Sequence, residues 1–315
     1  MRAVKQMLPL AAATVALLVF FSLNVENFLS PENMLDLIQQ ISVNAILAFG
    51  MTLVILIGGI DLSVGALVAL VGTTTVYIIG MGPSQTQNIL WLLLAVLAGL
   101  GVAAGFGTFN GLCAAKTRMP AFIITLATML VARGAALRFN EGRPMPIGDQ
   151  ETIFLTIGNG RLFGTVPVPV IIMLALFISA TILLHRTRFG QHLYAIGGNR
   201  EAARFTGIPI VRNEILVYVI CSVLTGMAGM IHASQLYSAE PASGVMFELN
   251  AIAAAVVGGT SFTGGRGTMY GTLIGAIIIG MLDKGLNQVG VHFSLQYIVK
   301  GLVILVAVYI DVRRR

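Results

Sequence analysis

The chain has 315 residues, 57% of them apolar and only 10% charged, with a formal net charge of +6. A soluble domain carries about 25% charged residues, so an ordinary globule is excluded; 36 glycines without a three-residue period and two cysteines exclude collagen and a disulfide scaffold. The class is an all-α integral membrane protein with a single transmembrane domain over residues 1–315, because an apolar stretch of about 20 residues crosses a bilayer.

In chain order, the basic head Met1-Arg2-Ala3-Val4-Lys5 precedes an apolar run from Leu8 to Leu23. No small-x-small cleavage site follows it, which predicts an uncleaved first span. Nine more spans are predicted over 41–60, 65–81, 89–115, 119–137, 167–184, 215–236, 247–262, 268–282 and 295–310, giving about ten transmembrane helices. The basic head, the segment His185–Arg212 and the tail Arg313-Arg314-Arg315 all favour the cytoplasm. An even number of crossings satisfies them only if 247–282 is split at Gly264-Gly265-Arg266-Gly267. The topology is then N-in and C-in, with 13 of the 19 basic residues inside. That distribution explains the positive charge by membrane orientation and predicts no nucleic-acid partner.

Two glycine-rich breaks stand inside apolar sequence: Gly58-Gly59-Ile60-Asp61-Leu62-Ser63-Val64-Gly65 and Gly258-Gly259-Thr260-Ser261-Phe262-Thr263-Gly264-Gly265. Interrupted, repeated helices are a common construction in transporters, where freed backbone groups line a path. Asp61 is the acid deepest in apolar context, and with Ser63 nearby it reads first as a cap for the next helix. Cys113 and Cys221 lie in apolar stretches and read as packing residues. The four histidines show no metal-ligand spacing, so no metal site is expected. The second break starts like a phosphate loop, but Gly265-Arg266 stands where Lys and Ser or Thr are needed. Energy from ATP would have to enter through another subunit.

The segment His185–Arg212 contains Gly197-Gly198-Asn199-Arg200-Glu201-Ala202-Ala203-Arg204-Phe205-Thr206-Gly207-Ile208. Asn199 suits an N-cap, Arg200 to Phe205 a short helix, and Gly207 the left-handed turn that ends it. Caps at both ends point to a helix held for a soluble partner.

Four stretches resemble the ribose-type sugar permeases of bacterial ABC importers. They are Gln39-Gln40-Ile41-Ser42-Val43-Asn44-Ala45-Ile46, then Gly50–Leu56 leading into Gly59–Gly65, then Gly197–Ile208, and finally Glu248–Ala254 running through Gly258-Gly259-Thr260-Ser261 to Gly267. The likeness extends from about Phe28 to Val312, with Asn250 where Asp is expected. The resemblance implies the pore subunit of an importer, not an enzyme, working by alternating access in the bacterial inner membrane. It implies a second permease copy or close paralogue, a cytoplasmic ATP-binding subunit and a periplasmic sugar-binding protein. ATP and Mg would sit on the partner, leaving no cofactor in this chain.

The same resemblance assigns Gly198 to Phe205 and Gly207 as the ATPase-coupling segment. Arg200 and Arg204 would pair with acids of the partner, while Ala202, Ala203 and Phe205 pack. A sugar needs hydroxyl partners and an apolar face. Gln39, Gln40, Asn44, Asp61, Ser63 and Asn250 are the polar pathway candidates, with Phe122 and Phe247 as candidate faces. Arg143 and Arg161, in the long outer segment 138–166, are candidates for docking the binding protein; Glu141, Asp149 and Glu151 nearby offer exposed pairing instead. The alternative is a secondary transporter of a small polar solute driven by an ion gradient, for which buried titratable groups are scarce.

Overall fold

The computed structural model describes residues 2–82, 89–117, 119–148 and 153–313. Met1, Asp149, Glu151, Arg314 and Arg315, all named above, lie outside them, as does Arg118, one of the basic residues counted inside. Thirteen α-helices make up most of the described chain. They are α1 (Arg2–Asn24), α2 (Pro31–Leu56), α3 (Val64–Gly80), α4 (Ile89–Lys116), α5 (Ala121–Arg138), α6 (Ile153–Asn159) and α7 (Val168–Arg186). After these come α8 (Arg188–Gly198), α9 (Arg200–Phe205), α10 (Ile210–Gln235), α11 (Phe247–Val257), α12 (Met269–Gln288) and α13 (Phe293–Arg313). Six of them are long and apolar enough to cross a membrane, and four further apolar stretches are shorter.

Helix α2 begins about three turns before the predicted span because Ser30 caps it, accepting from Asn33 N, and Pro31 occupies its first turn. It ends at Leu56, where the chain turns through Gly58 at φ +79°. Likewise α10 starts at Ile210, ahead of the predicted 215, because its first turns carry the polar Arg212, Asn213 and Glu214 that an apolar count passes over. Both helices are largely buried and form the axis of the bundle. Around them α7, α11 and α12 pack on α2, while α3 and α4 pack on α10. Helices α1 and α13 lie outside α12 and α11, and α5 lies against α3 and α4.

Apolar attraction between helices is weak in a bilayer, so close backbone approach and internal hydrogen bonds carry the packing. Helix α4 meets α10 through Gly107 and Gly111: a Cβ at Gly107 would lie 2.6 Å from the Tyr218 carbonyl, and one at Gly111 2.7 Å from Ile215 Cα. Helices α2 and α12 are tied by Thr52 and Thr272, whose buried hydroxyls are 2.7 Å apart. Each hydroxyl also bonds a carbonyl one turn back in its own helix.

Two short ribbons close one end. Strands β1 (Met145–Pro146) and β4 (Ser238–Ala239) pair antiparallel, as do β2 (Arg161–Leu162) and β3 (Val166–Pro167). Helix α6 is pinned to α10 by Ser234, whose hydroxyl bonds the carbonyls of Phe154 and Leu155 and receives Gly158 N.

Candidate functional site

The segment between α7 and α10 is built as two helices. Thr187 caps α8 by accepting from Gly190 N, and Phe189, Leu193 and Ile196 turn one face onto the bundle. The capped short helix is borne out in detail: Asn199 Oδ1 accepts from Ala202 N at 2.9 Å, α9 spans Arg200–Phe205, and Gly207 adopts φ +81°. Helix α8 was not foreseen, although Thr187 and the spacing of Phe189, Leu193 and Ile196 signal it.

The end of α8 reaches both glycine breaks. Gly265 N donates to the Leu56 carbonyl at 2.9 Å, joining the break after α11 to the break after α2. Gly197 sits directly on this joint: a Cβ there would overlap the Leu56 carbonyl and the Gly265 nitrogen. One turn earlier, Tyr194 donates its hydroxyl to the Gly267 carbonyl at 2.7 Å. Burial pushes the Tyr194 phenol up to about 12, so it stays protonated and keeps that donor. The two glycine-rich breaks are therefore in direct backbone contact.

Within α9 the side chains divide differently from expectation. Arg200 forms a fork with both carboxylate oxygens of Glu214 on α10. The Glu214 side chain is only 4% exposed, so Arg200 is engaged within its own chain. Ala203 is likewise buried against the protein. Arg204, Glu201 and Ala202 are exposed, and Phe205 is 87% exposed; these face outward.

The pathway candidates do not converge on one cavity. Gln39 donates to the Gly158 carbonyl of α6, Gln40 is exposed, and Asn44 is half-buried in α2. Phe122 is exposed on α5, whereas Phe247 packs edge-on against His232 with ring centroids 5.2 Å apart. Asn250 is buried and donates to Asp283, which pairs with Lys300 at 2.7 Å.

Asp61 and Ser63 do meet. Asp61 is fully buried and accepts from both the nitrogen and the hydroxyl of Ser63, at 2.9 and 2.5 Å, at the start of α3. Asn110 of α4 donates to the same hydroxyl at 3.2 Å. A carboxylate at the N-terminus of a helix that starts inside the bundle faces the positive end of the helix dipole. Asp61 therefore braces Ser63 just before α3, but Ser63 is the cap residue and makes no side-chain cap bond, so the cap expected of Asp61 on the first turn of α3 is not made.

Arg143 lies 4.0 Å from Glu141 and Arg161 lies 3.4 Å from Asp36, both in exposed ion pairs of small energetic value. Residues outside the expected set also stand out: Glu214, Tyr194, Gly197 and Arg133. Arg133 is the one basic residue interior to the predicted span 119–137, a signal available in the sequence.

A family model described as branched-chain amino acid transport system / permease component matches residues 33–308. The ribose import permease protein RbsC of Escherichia coli K12 is 45% identical over 96% of this chain and 92% of its own length. RbsC of Bacillus subtilis 168 is 44% identical over 94% of the chain and 89% of its own length. The L-arabinose transport system permease protein AraH of E. coli K12 is 36% identical over 91% and 84%. No solved structure matches the chain significantly.

Proposed function

This chain belongs to the family of transport-system permease components, and on that premise we propose that it is the membrane-spanning subunit of an ATP-binding-cassette importer for a monosaccharide, ribose or a close relative. The six long apolar helices and the segments that contain the four shorter ones together make ten crossings, α11 completing its crossing with the extended chain before it, and both termini lie in the cytoplasm of a bacterial inner-membrane protein. Two copies, or this chain and a close paralogue, enclose the path. A cytoplasmic ATPase binds ATP and Mg, and a periplasmic binding protein delivers the sugar.

The observation that carries this reading is the joint at Gly197. Helix α9 presents Arg204 and Phe205 outward, while the chain immediately before it rests on both glycine breaks. An ATPase that grips α9 therefore pulls on the ends of α2 and α11 through backbone contact. Alternating access needs this kind of connection between the partner and interrupted helices of the path. The permease itself forms and breaks no bonds.

The test is reconstitution in vesicles with the ATPase and the binding protein. Sugar accumulation that needs ATP and all three components supports the reading. Accumulation driven by a proton or sodium gradient in the permease alone overturns it.

A further inference from the structure

Two charged side chains within the bundle have no place in the coupling segment. Arg133 lies five residues from the end of α5, about 8 Å inside it at the helical rise. Its Nη1 donates to the carbonyls of Pro241 at 2.8 Å and Ser243 at 2.6 Å, in the segment that descends from β4 to α11. Among the described residues its other nitrogens make no hydrogen bond. Glu248 opens α11, an eleven-residue helix too short to span a bilayer, so its start lies inside the membrane. The Glu248 carboxylate rests against Gly65 at the start of α3, where a Cβ would strike both it and the Gly244 carbonyl.

Both side chains are partly exposed in this chain. No ion pair within 4.0 Å joins them among the described residues, and the segment whose carbonyls hold Arg133 leads within five residues into Glu248. Lipid tails do not cover exposed charges at this depth; a water-filled path does. One positive and one negative group sum to zero, which suits a neutral solute rather than a cation or an anion. Guanidinium N–H groups donate and a carboxylate accepts, matching hydroxyls that do both. Next to them Ser243, which holds Arg133, lies near His232 of α10, and Phe247 packs on His232 to add an aromatic face.

Resting on the importer reading, we propose that Arg133 and Glu248 form the sugar-hydroxyl subsite of the translocation path, with Phe247 beside them. Arg133 is anchored by the 241–243 carbonyls, which aims its remaining nitrogens. Glu248 is held at the start of a half-helix, and Gly65 leaves it the room it occupies. The ligand class is a neutral polyol, and the pair selects it by hydroxyl position.

The experiment uses the assembled complex with D-ribose and its singly deoxygenated analogues as probes. Uptake of each is compared between wild type and Glu248→Gln, with the same binding protein throughout, so its own preferences cancel. ATPase activity stimulated by the binding protein serves as the control for folding and coupling. We expect ribose uptake to fall at least tenfold with stimulated ATPase retained. For one deoxy analogue the uptake relative to ribose should change at least fivefold. Where the Gln variant does not assemble, Glu248→Asp, which keeps the charge and withdraws it from Gly65, carries the same comparison. Equal relative uptake of every analogue by variant and wild type overturns the subsite and leaves the importer reading standing. Failure of the wild-type complex to accumulate ribose in an ATP-dependent way strikes the importer reading itself.

Discussion

Gly197 of α8 lies against the carbonyl of Leu56, the last residue of α2, with no side chain between them. The same carbonyl accepts from Gly265 N, so three segments distant in sequence share one backbone contact. Replacing Gly197 by Ala forces backbone apart, since no flexible side chain is there to yield. Overpacking costs about 1–3 kcal/mol. The Ala variant should melt several degrees lower and lose most transport, measured by thermal unfolding and vesicle uptake. Wild-type melting and uptake together would remove the joint from the coupling route.

Arg200 and Arg204 should behave differently although they occupy one short helix. Arg200→Glu places a like charge against the buried Glu214 and should cut permease yield, at a cost of about 2 kcal/mol or more. Arg204 has no side-chain hydrogen bond or ion pair among the described residues, so Arg204→Glu should leave yield normal while weakening co-purification of the ATPase and uptake. The check is permease yield beside ATPase recovery from the same membranes. Equal behaviour of the two variants would sink the division of roles.

Purified permease without its partner should neither bind nor hydrolyse ATP. The loop beginning at Gly259 has Gly265 and Arg266 in place of the lysine and hydroxyl that hold phosphates. Nucleotide-dependent fluorescence change or phosphate release by the permease alone would contradict this.

Ser234→Ala should destabilise one end of the bundle without altering coupling. The hydroxyl is fully buried and links α6 to α10 through Phe154, Leu155 and Gly158. Its loss leaves the Gly158 N–H without that acceptor and should cost about 1–3 kcal/mol. Faster hydrogen exchange over 153–159, with ATPase association unchanged, is the expected result. Unchanged exchange there would show that α6 is held by packing alone.

Local chemistry was legible where the signal is short-range. Asn199, the helix behind it and Gly207 were readable because a cap and its turn lie within nine residues. The meeting of Asp61 with Ser63 was readable for the same reason, since they are two residues apart. Glu214 as the partner of Arg200 was not, because the pair joins two elements across a turn and nothing local marks the match. The pathway candidates failed to gather because residue type predicts a need for hydrogen bonds and not their address. Gln39, for example, finds the carbonyl of Gly158, 119 positions away. The two glycine breaks were visible as similar strings, but similarity alone says nothing of whether they touch.

A joint of peptide backbone resting on peptide backbone has almost no backlash. Side chains in contact can absorb a small displacement by changing rotamer, as worn gear teeth absorb the first degrees of a turn. Gly197, Leu56 and Gly265 have no such slack between them. If a partner grips α9 as proposed, its stroke would reach the ends of α2 and α11 together and almost without loss.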